Sequence, residues 1–232
     1  MNVHDVSLIS NASLGWYNSL MSLPTNYDLY IFDFDGTILD TLPNWLLIYQ
    51  KVFSEYGLHP SDHQIIDIAF YNHDRINELI TVDKEHYLEK VTRIKHELRD
   101  QVRCFPGAIS KLMELVSDNK KIALCTSSFK RMIDPITHLT GLDKVHFDQI
   151  VTGDTLKHQK PDPEGVNRIL STLNIQPSRT LYVGDSYPDL LTAQNAGIDF
   201  LWMDFPTNKP FILEAHYEVL KKQSKYQMTS YT

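Results

Sequence analysis

Short β-rich apolar runs recur along the 232-residue chain at 29–32 (LYIF), 122–125 (IALC), 149–152 (QIVT), 180–183 (TLYV) and 200–203 (FLWM). Runs of this length, bounded by polar or turn residues, predict buried strands rather than helices. Between them the apolar residues return with helical spacing. Ile109, Leu112, Met113 and Val116 form one such stripe, and Val166, Ile169, Leu170 and Leu173 form another. Strands alternating with helices predict an α/β fold: a Rossmann-like parallel sheet sandwiched by helices on both faces.

One segment breaks the alternation. From Leu42 to Phe105 there is no strand pattern. Trp45, Ile48, Tyr49, Val52, Phe53 and Tyr56 make a helical stripe that stops at Gly57, and Tyr87, Val91, Ile94 and Leu98 make a second stripe on a charged helix. Residues 42–105 therefore predict a helical insert between the first strand and the rest of a core spanning 28–41 and 106–215, closed by the turn FPG at 105–107. Residues 1–27 form a leader in which Leu14, Tyr17 and Met21 follow helical spacing. The tail 216–232 ends in the polar KKQSKYQMTSYT, which predicts a frayed terminus.

Composition narrows the class without naming a function. At 42% hydrophobic and 22% charged the chain is ordinary for a globular protein, large enough for one domain carrying an insert. A net charge of -7 excludes a broad nucleic-acid or anionic-membrane surface, which needs excess Lys and Arg. No stretch reaches the roughly 20 apolar residues that span a bilayer. Two cysteines, Cys104 and Cys125, are too few for a disulfide framework in a chain this long and predict reduced thiols in a cytoplasmic protein. The first 27 residues hold no Lys, no Arg and no continuous apolar block, so they do not read as a secretory signal. A monomer or homodimer is the expected assembly.

The unusual residues fall where strands end. After LYIF come Asp33 and Asp35; after IALC come Thr126, Ser127 and Ser128; after QIVTGD comes a loop carrying Lys160; after TLYVG come Asp185, Ser186 and Asp189. Ligands bind at the carboxyl ends of open parallel sheets, so strand geometry alone brings these groups to one edge. Carboxylates about 4 Å apart repel by roughly 4 kcal/mol near a protein surface, so the cluster calls for a cation or a shared proton. Acids without a His or Cys ligand suit Mg²⁺ and not zinc. Thr126 and the amides beside it suit phosphate oxygens, and Lys160 suits their charge. Taken singly, each feature has a bland reading: a DxD turn, a helix-capping threonine, a solvated KP loop. The argument rests on their conjunction.

These residues resemble the four motifs of the haloacid dehalogenase-like hydrolase superfamily, within it the branch of phosphoglycolate phosphatase and β-phosphoglucomutase. DFDGTILDT matches the first motif, Thr126 of LCTSS the second, Lys160 of KPDPEG the third and GDSYPDLLTAQNAG the fourth. The resemblance covers residues 28 to about 205 and implies that residues 42–105 are a mobile cap. It implies Asp33 as nucleophile and Asp35 as general acid and base. Mg²⁺ would be held by Asp33, the backbone carbonyl of Asp35, and Asp185, with Asp189 behind them. Thr126 and Ser127 would grip the phosphoryl group, and Lys160 would stabilise its charge.

Asp35 matters for the reaction class, because family members that cleave carbon–halogen bonds lack an acid there. The second motif departs from the family by placing Ser where Asn is common, and the segment AFYNHDRINE (69–78) lacks a glycine-bearing specificity loop. Within that segment His73 and Arg75 are candidates for a substrate's second anionic group. The implied activity is hydrolysis of a small phosphorylated metabolite through an aspartyl-phosphate. A phosphosugar mutase, a pyrophosphatase and a non-catalytic binding module are the alternatives. His59 and His63, with Pro60 between them, read as surface residues, and Cys125 reads as core.

Overall fold

Strands form where the sequence leaves apolar side chains on both faces of the backbone. In the computed structural model, which describes residues 23–71 and 73–229, these are β1 (Leu29–Phe32), β2 (Lys121–Cys125), β3 (Gln149–Val151), β4 (Thr180–Gly184), β5 (Asp199–Asp204) and β6 (Tyr226–Thr229). They make one parallel sheet in the order β3-β2-β1-β4-β5-β6. Successive side chains alternate between faces. Tyr30, Phe32, Leu124, Val183 and Leu201 point into one buried layer, and Leu29, Ile31, Ala123, Tyr182 and Trp202 into the other. Each large apolar side chain among them contributes about 1.5–3 kcal/mol by leaving water, so the central strands cannot shift register cheaply.

Helices cover both layers. Leu112 and Leu115 of Ala108–Ser117 close the first, and Val166, Ile169 and Leu170 of Glu164–Leu173 close the second. The leader expected around Leu14, Tyr17 and Met21 lies outside the described residues. The expectation of a frayed tail is corrected. Helix Glu214–Gln223 leads into β6, which pairs in parallel with β5. The polar composition hides the reason: Met228 is buried in the first layer, and the Gln227 amide donates to Asp204 at 2.8 Å.

The insert follows β1 directly. It runs through α1 (Leu42–Glu55), α2 (Asp62–Ile65), a π-turn (Ile66–Tyr71), a tight turn (His73–Glu78), α3 (Lys84–Leu98) and a last turn at Arg99–Gln101. Pro43 stands in the first turn of α1, where a missing N–H costs nothing. Ser61 and Gln64 cap α2 reciprocally, and Asp83 caps α3 by accepting from His86 N–H. Its apolar stripes face each other: Ile48, Val52, Phe53, Ile65, Tyr87, Val91 and Ile94 form a core separate from both sheet layers. A smaller cluster joins the insert to the sheet half, with Ile66 and Phe70 against Phe211 and Leu213. His59 and His63 are exposed and share no helix. Among the described residues no helix is long and apolar enough to cross a membrane.

Candidate active site

Register sets the site. Phe32 of β1 lies between Leu124 of β2 and Val183 of β4, so the residues just past the three strand ends are brought together: Asp33 from β1, Thr126 from β2 and Asp185 from β4. The loop after β3 returns Lys160 to the same edge. Its ammonium lies 2.5 Å from Asp33 Oδ1 and 2.6 Å from Asp189 Oδ1. Asp189 sits in the first turn of helix Tyr187–Ala196, where its Oδ2 accepts from Ser186 N–H and Oγ. The Tyr182 hydroxyl donates to Asp189 Oδ1 at 3.1 Å.

Asp185 is fixed on its own account. Thr37 Oγ1 donates to its Oδ1 at 2.9 Å, and the Trp202 indole donates to its carbonyl at 3.1 Å. Gly36 lies directly against this carboxylate. A Cβ there would stand 2.5 Å from Asp185 Oδ2, and the backbone has φ +79°, so glycine is required twice over. Asn208 holds the Gly36 carbonyl at 2.7 Å.

Charge does not balance in this pocket. Asp33, Asp185 and Asp189 are buried, and Lys160 is the cation paired with them, its side chain 6% exposed. Burial pushes the Asp33 carboxyl up to about 7, opposed by Lys160 and reinforced by Asp189. Burial raises Asp185 well above the usual carboxylate range, with Asp189 and Asp33 adding to it. Burial alone would weaken the Lys160 ammonium, yet Asp189 and Asp33 hold its pKa above the ordinary lysine value. With all three acids ionised, the one ammonium leaves two negative charges for a bound cation to meet.

Asp35 lies beside this group but faces elsewhere. Its Oδ1 accepts from Thr41 Oγ1 at 2.7 Å and from the Trp45 indole at 2.9 Å, while its Oδ2 accepts from Ser128 Oγ at 2.7 Å. Burial works to raise its pKa, but the Lys95 charge and these three donors hold it below the usual range. Thr126 is buried, its hydroxyl accepting from Ser128 N–H at 3.0 Å, and Ser127 is exposed at the rim.

The two insert candidates fare differently. His73 opens the turn His73–Glu78, and its side chain lies outside the described residues. Arg75 is exposed and engaged within the insert, by Glu78 at 2.7 Å and Asp67 at 3.4 Å. Cys125 is buried in β2, its thiol pushed up to about 11 by burial. Sequence reasoning did not single out Thr37, Tyr182, Asn208 or Lys95 as members of this neighbourhood, nor Trp45 as a donor to Asp35. The first lies within the DFDGT run and was open to notice; the others are placed by packing alone.

Comparison with known proteins decides the family. A model of the haloacid dehalogenase-like hydrolases matches residues 30–203, most of the chain. The chain belongs to that family. A pyrophosphatase, PpaX of Oceanobacillus iheyensis, is 28% identical over 172 residues, 72% of this chain and 79% of the relative. Among solved structures, a Thermotoga maritima protein assigned as a β-phosphoglucomutase superposes with TM-score 0.67 and 26% identity, covering 88% of this chain and 94% of the other. A haloacid dehalogenase-like hydrolase of Bacteroides fragilis superposes with TM-score 0.73 at 22% identity, covering 88% and 97% of the two chains.

Hydrolases of the family generally use a divalent metal, and the donor set here fits one. Asp33, Asp185 and Asp189 each offer a carboxylate oxygen, all within 4.8 Å of one another. The donors are oxygens only, which matches a hard cation. A second group, His158, Asp162 and Glu164, is nearer the surface, and Glu164 already accepts the N–H groups of Lys157 and His158 as a loop brace.

Proposed function

We propose that this chain is a Mg²⁺-dependent phosphatase that hydrolyses a small phosphorylated metabolite through an aspartyl-phosphate on Asp33. The observation that carries the reading is the ammonium of Lys160 bridging Asp33 and Asp189 with Asp185 alongside: one cation among three buried acids. Asp33, Asp185 and the Asp35 carbonyl would hold the metal, with Asp189 behind them. When bound, Mg²⁺ would supply positive charge to the phosphoryl oxygens.

The protein's own groups supply the rest. Asp33 forms a bond to phosphorus as the ester P–O bond breaks, and Asp35 gives a proton to the departing oxygen. Water then attacks phosphorus, Asp35 takes the water's proton, and the Asp33–phosphorus bond breaks to release inorganic phosphate. Three donors on Asp35 suit its carboxylate form, the state needed in this second half. Lys160 neutralises the phosphoryl oxygens, while Thr126 and Ser127 grip them. Residues 42–105 act as the cap that excludes water and selects substrate.

Turnover of p-nitrophenyl phosphate with Mg²⁺ tests the reading. Asp33→Asn is expected to lower kcat at least roughly a thousandfold, because nucleophile loss is not compensated by its neighbours. Full activity in that variant removes Asp33 as the nucleophile. Pyrophosphate belongs on the same substrate panel, since the curated relatives are pyrophosphatases. Rapid release of phosphate without a sugar acceptor separates the phosphatase from a mutase.

A further inference from the structure

Lys95 is the least expected residue of the insert. It sits on α3, only 7% exposed, and its ammonium makes no hydrogen bond. An unpaired buried ammonium is costly, and a Met would fill the same space without that cost. What the ammonium does meet is the face of Trp45, 4.1 Å from the ring centroid. The same indole donates through Nε1–H to Asp35 Oδ1 at 2.9 Å. Asp35 is also the charge that offsets the burial of Lys95.

We propose that Lys95 and Trp45 act as one positioning unit for Asp35, the ammonium setting the indole plane and the indole N–H setting the carboxylate. The unit spans two helices of the insert and ends on a residue of the sheet half, so it joins α3 and α1 to Asp35. A cation over the ring also withdraws charge from it and strengthens its N–H as a donor. Lys95 touches no reacting atom on this account; it works through Trp45. The catalytic part of the inference rests on the phosphatase reading, whereas the positioning part does not.

Two measurements test it on the full chain. The first is hydrogen exchange at the Trp45 Nε1–H by NMR, the resonance being assigned by its loss in Trp45→Phe. Lys95→Met is expected to speed exchange roughly tenfold, equivalent to about 1.4 kcal/mol, with Lys95→Arg restoring most of the protection. Exchange within about twofold of wild type in Lys95→Met overturns the positioning unit.

The second measurement compares leaving groups. Asp35 matters most for a poor one, so Lys95→Met is expected to lower kcat on glycerol phosphate about tenfold while p-nitrophenyl phosphate changes less than about twofold, with KM steady on both. The double variant Trp45→Phe/Lys95→Met is expected to be no worse than the worse single variant, as for residues acting in series. Equal losses on both substrates, or additive losses, overturn the proposal. If Lys95→Met does not fold, Trp45→Phe carries the leaving-group comparison, because it keeps an aromatic ring on α1 while removing the indole N–H. Wild-type protein with no turnover on either ester removes the phosphatase reading, and the exchange measurement still judges the positioning unit.

Discussion

The sheet edge and the helical insert deliver chemistry in different ways. At the sheet edge, Asp33 and Asp185 each stand one residue past a buried strand, so main-chain pairing places them; Asp33 follows Phe32, and Asp185 follows the stretch paired with β1. In the insert, Trp45 reaches Asp35 and Lys95 reaches Trp45, from helices that pack on each other through side chains. A strand end is held by backbone hydrogen bonds on both sides, and a helix face is held by apolar contact and can shift or roll. The difference puts rigid groups on the sheet and adjustable ones on the insert, the arrangement expected of a site with a closing lid.

The sharpest way to break that comparison is to loosen the insert alone. Phe53 is fully buried in the insert's own core, and Phe53→Ala is expected to cost about 3–5 kcal/mol. Because that core is separate from both sheet layers, limited proteolysis should cut first within residues 42–105. Equal early cutting in the sheet half would show that the two regions unfold as one.

A sheet-edge change should behave in the opposite way. Lys160→Met removes the cation between Asp33 and Asp189, and turnover with Mg²⁺ is expected to fall roughly 10²–10³-fold. Proteolysis within the insert should stay as in wild type. Turnover within about threefold of wild type would count against Lys160 as a charge-stabilising residue.

Gly36→Ala is a smaller test of the same edge. The left-handed backbone at φ +79° costs a residue with a Cβ about 1–2 kcal/mol, and the new atom crowds Asp185 Oδ2. The rise in melting temperature on adding Mg²⁺ should shrink with it, because the displaced carboxylate is one of the three in the acid cluster. An undiminished Mg²⁺ response would remove Asp185 from the metal set.

What could be read from the sequence follows the same division. The five apolar runs became β1 to β5, and the residues after them converged, because a strand's direction fixes where its end points. β6 was missed, since its inward residues, Tyr226 and Met228, alternate with polar ones in a tail of polar composition. Lys95 was missed because RIKHE reads as an exposed charged turn of helix; only the packing of α3 over α1 buries it. Arg75 was picked out as a candidate contact for a substrate anion, and its pairing with Glu78, three residues on, was not foreseen. One-dimensional pattern locates backbone-held groups well and side-chain-held groups poorly.

The seam between the two regions offers the smallest effect and the finest test. His216, on helix Glu214–Gln223 of the sheet half, stacks on Tyr187 at 4.4 Å and meets Tyr71 of the insert edge-on at 4.8 Å. Its Nδ1 is buried without a hydrogen-bond partner. Burial holds its pKa below the ordinary imidazole value, with Asp67 of the insert pulling the other way. The folded chain therefore binds this proton less readily than the unfolded chain does, so the seam is at full strength above about pH 6.5 and weakens as pH falls toward and through the lowered value. His216→Phe keeps a ring between the two tyrosines and removes the charge. Denaturant melts from pH 5 to 8 should then show a shallower loss of stability on the acid side than wild type. Parallel curves for the two proteins would mean that the imidazole stays neutral or stays solvated across that range, and that packing alone holds the insert to the sheet at this point.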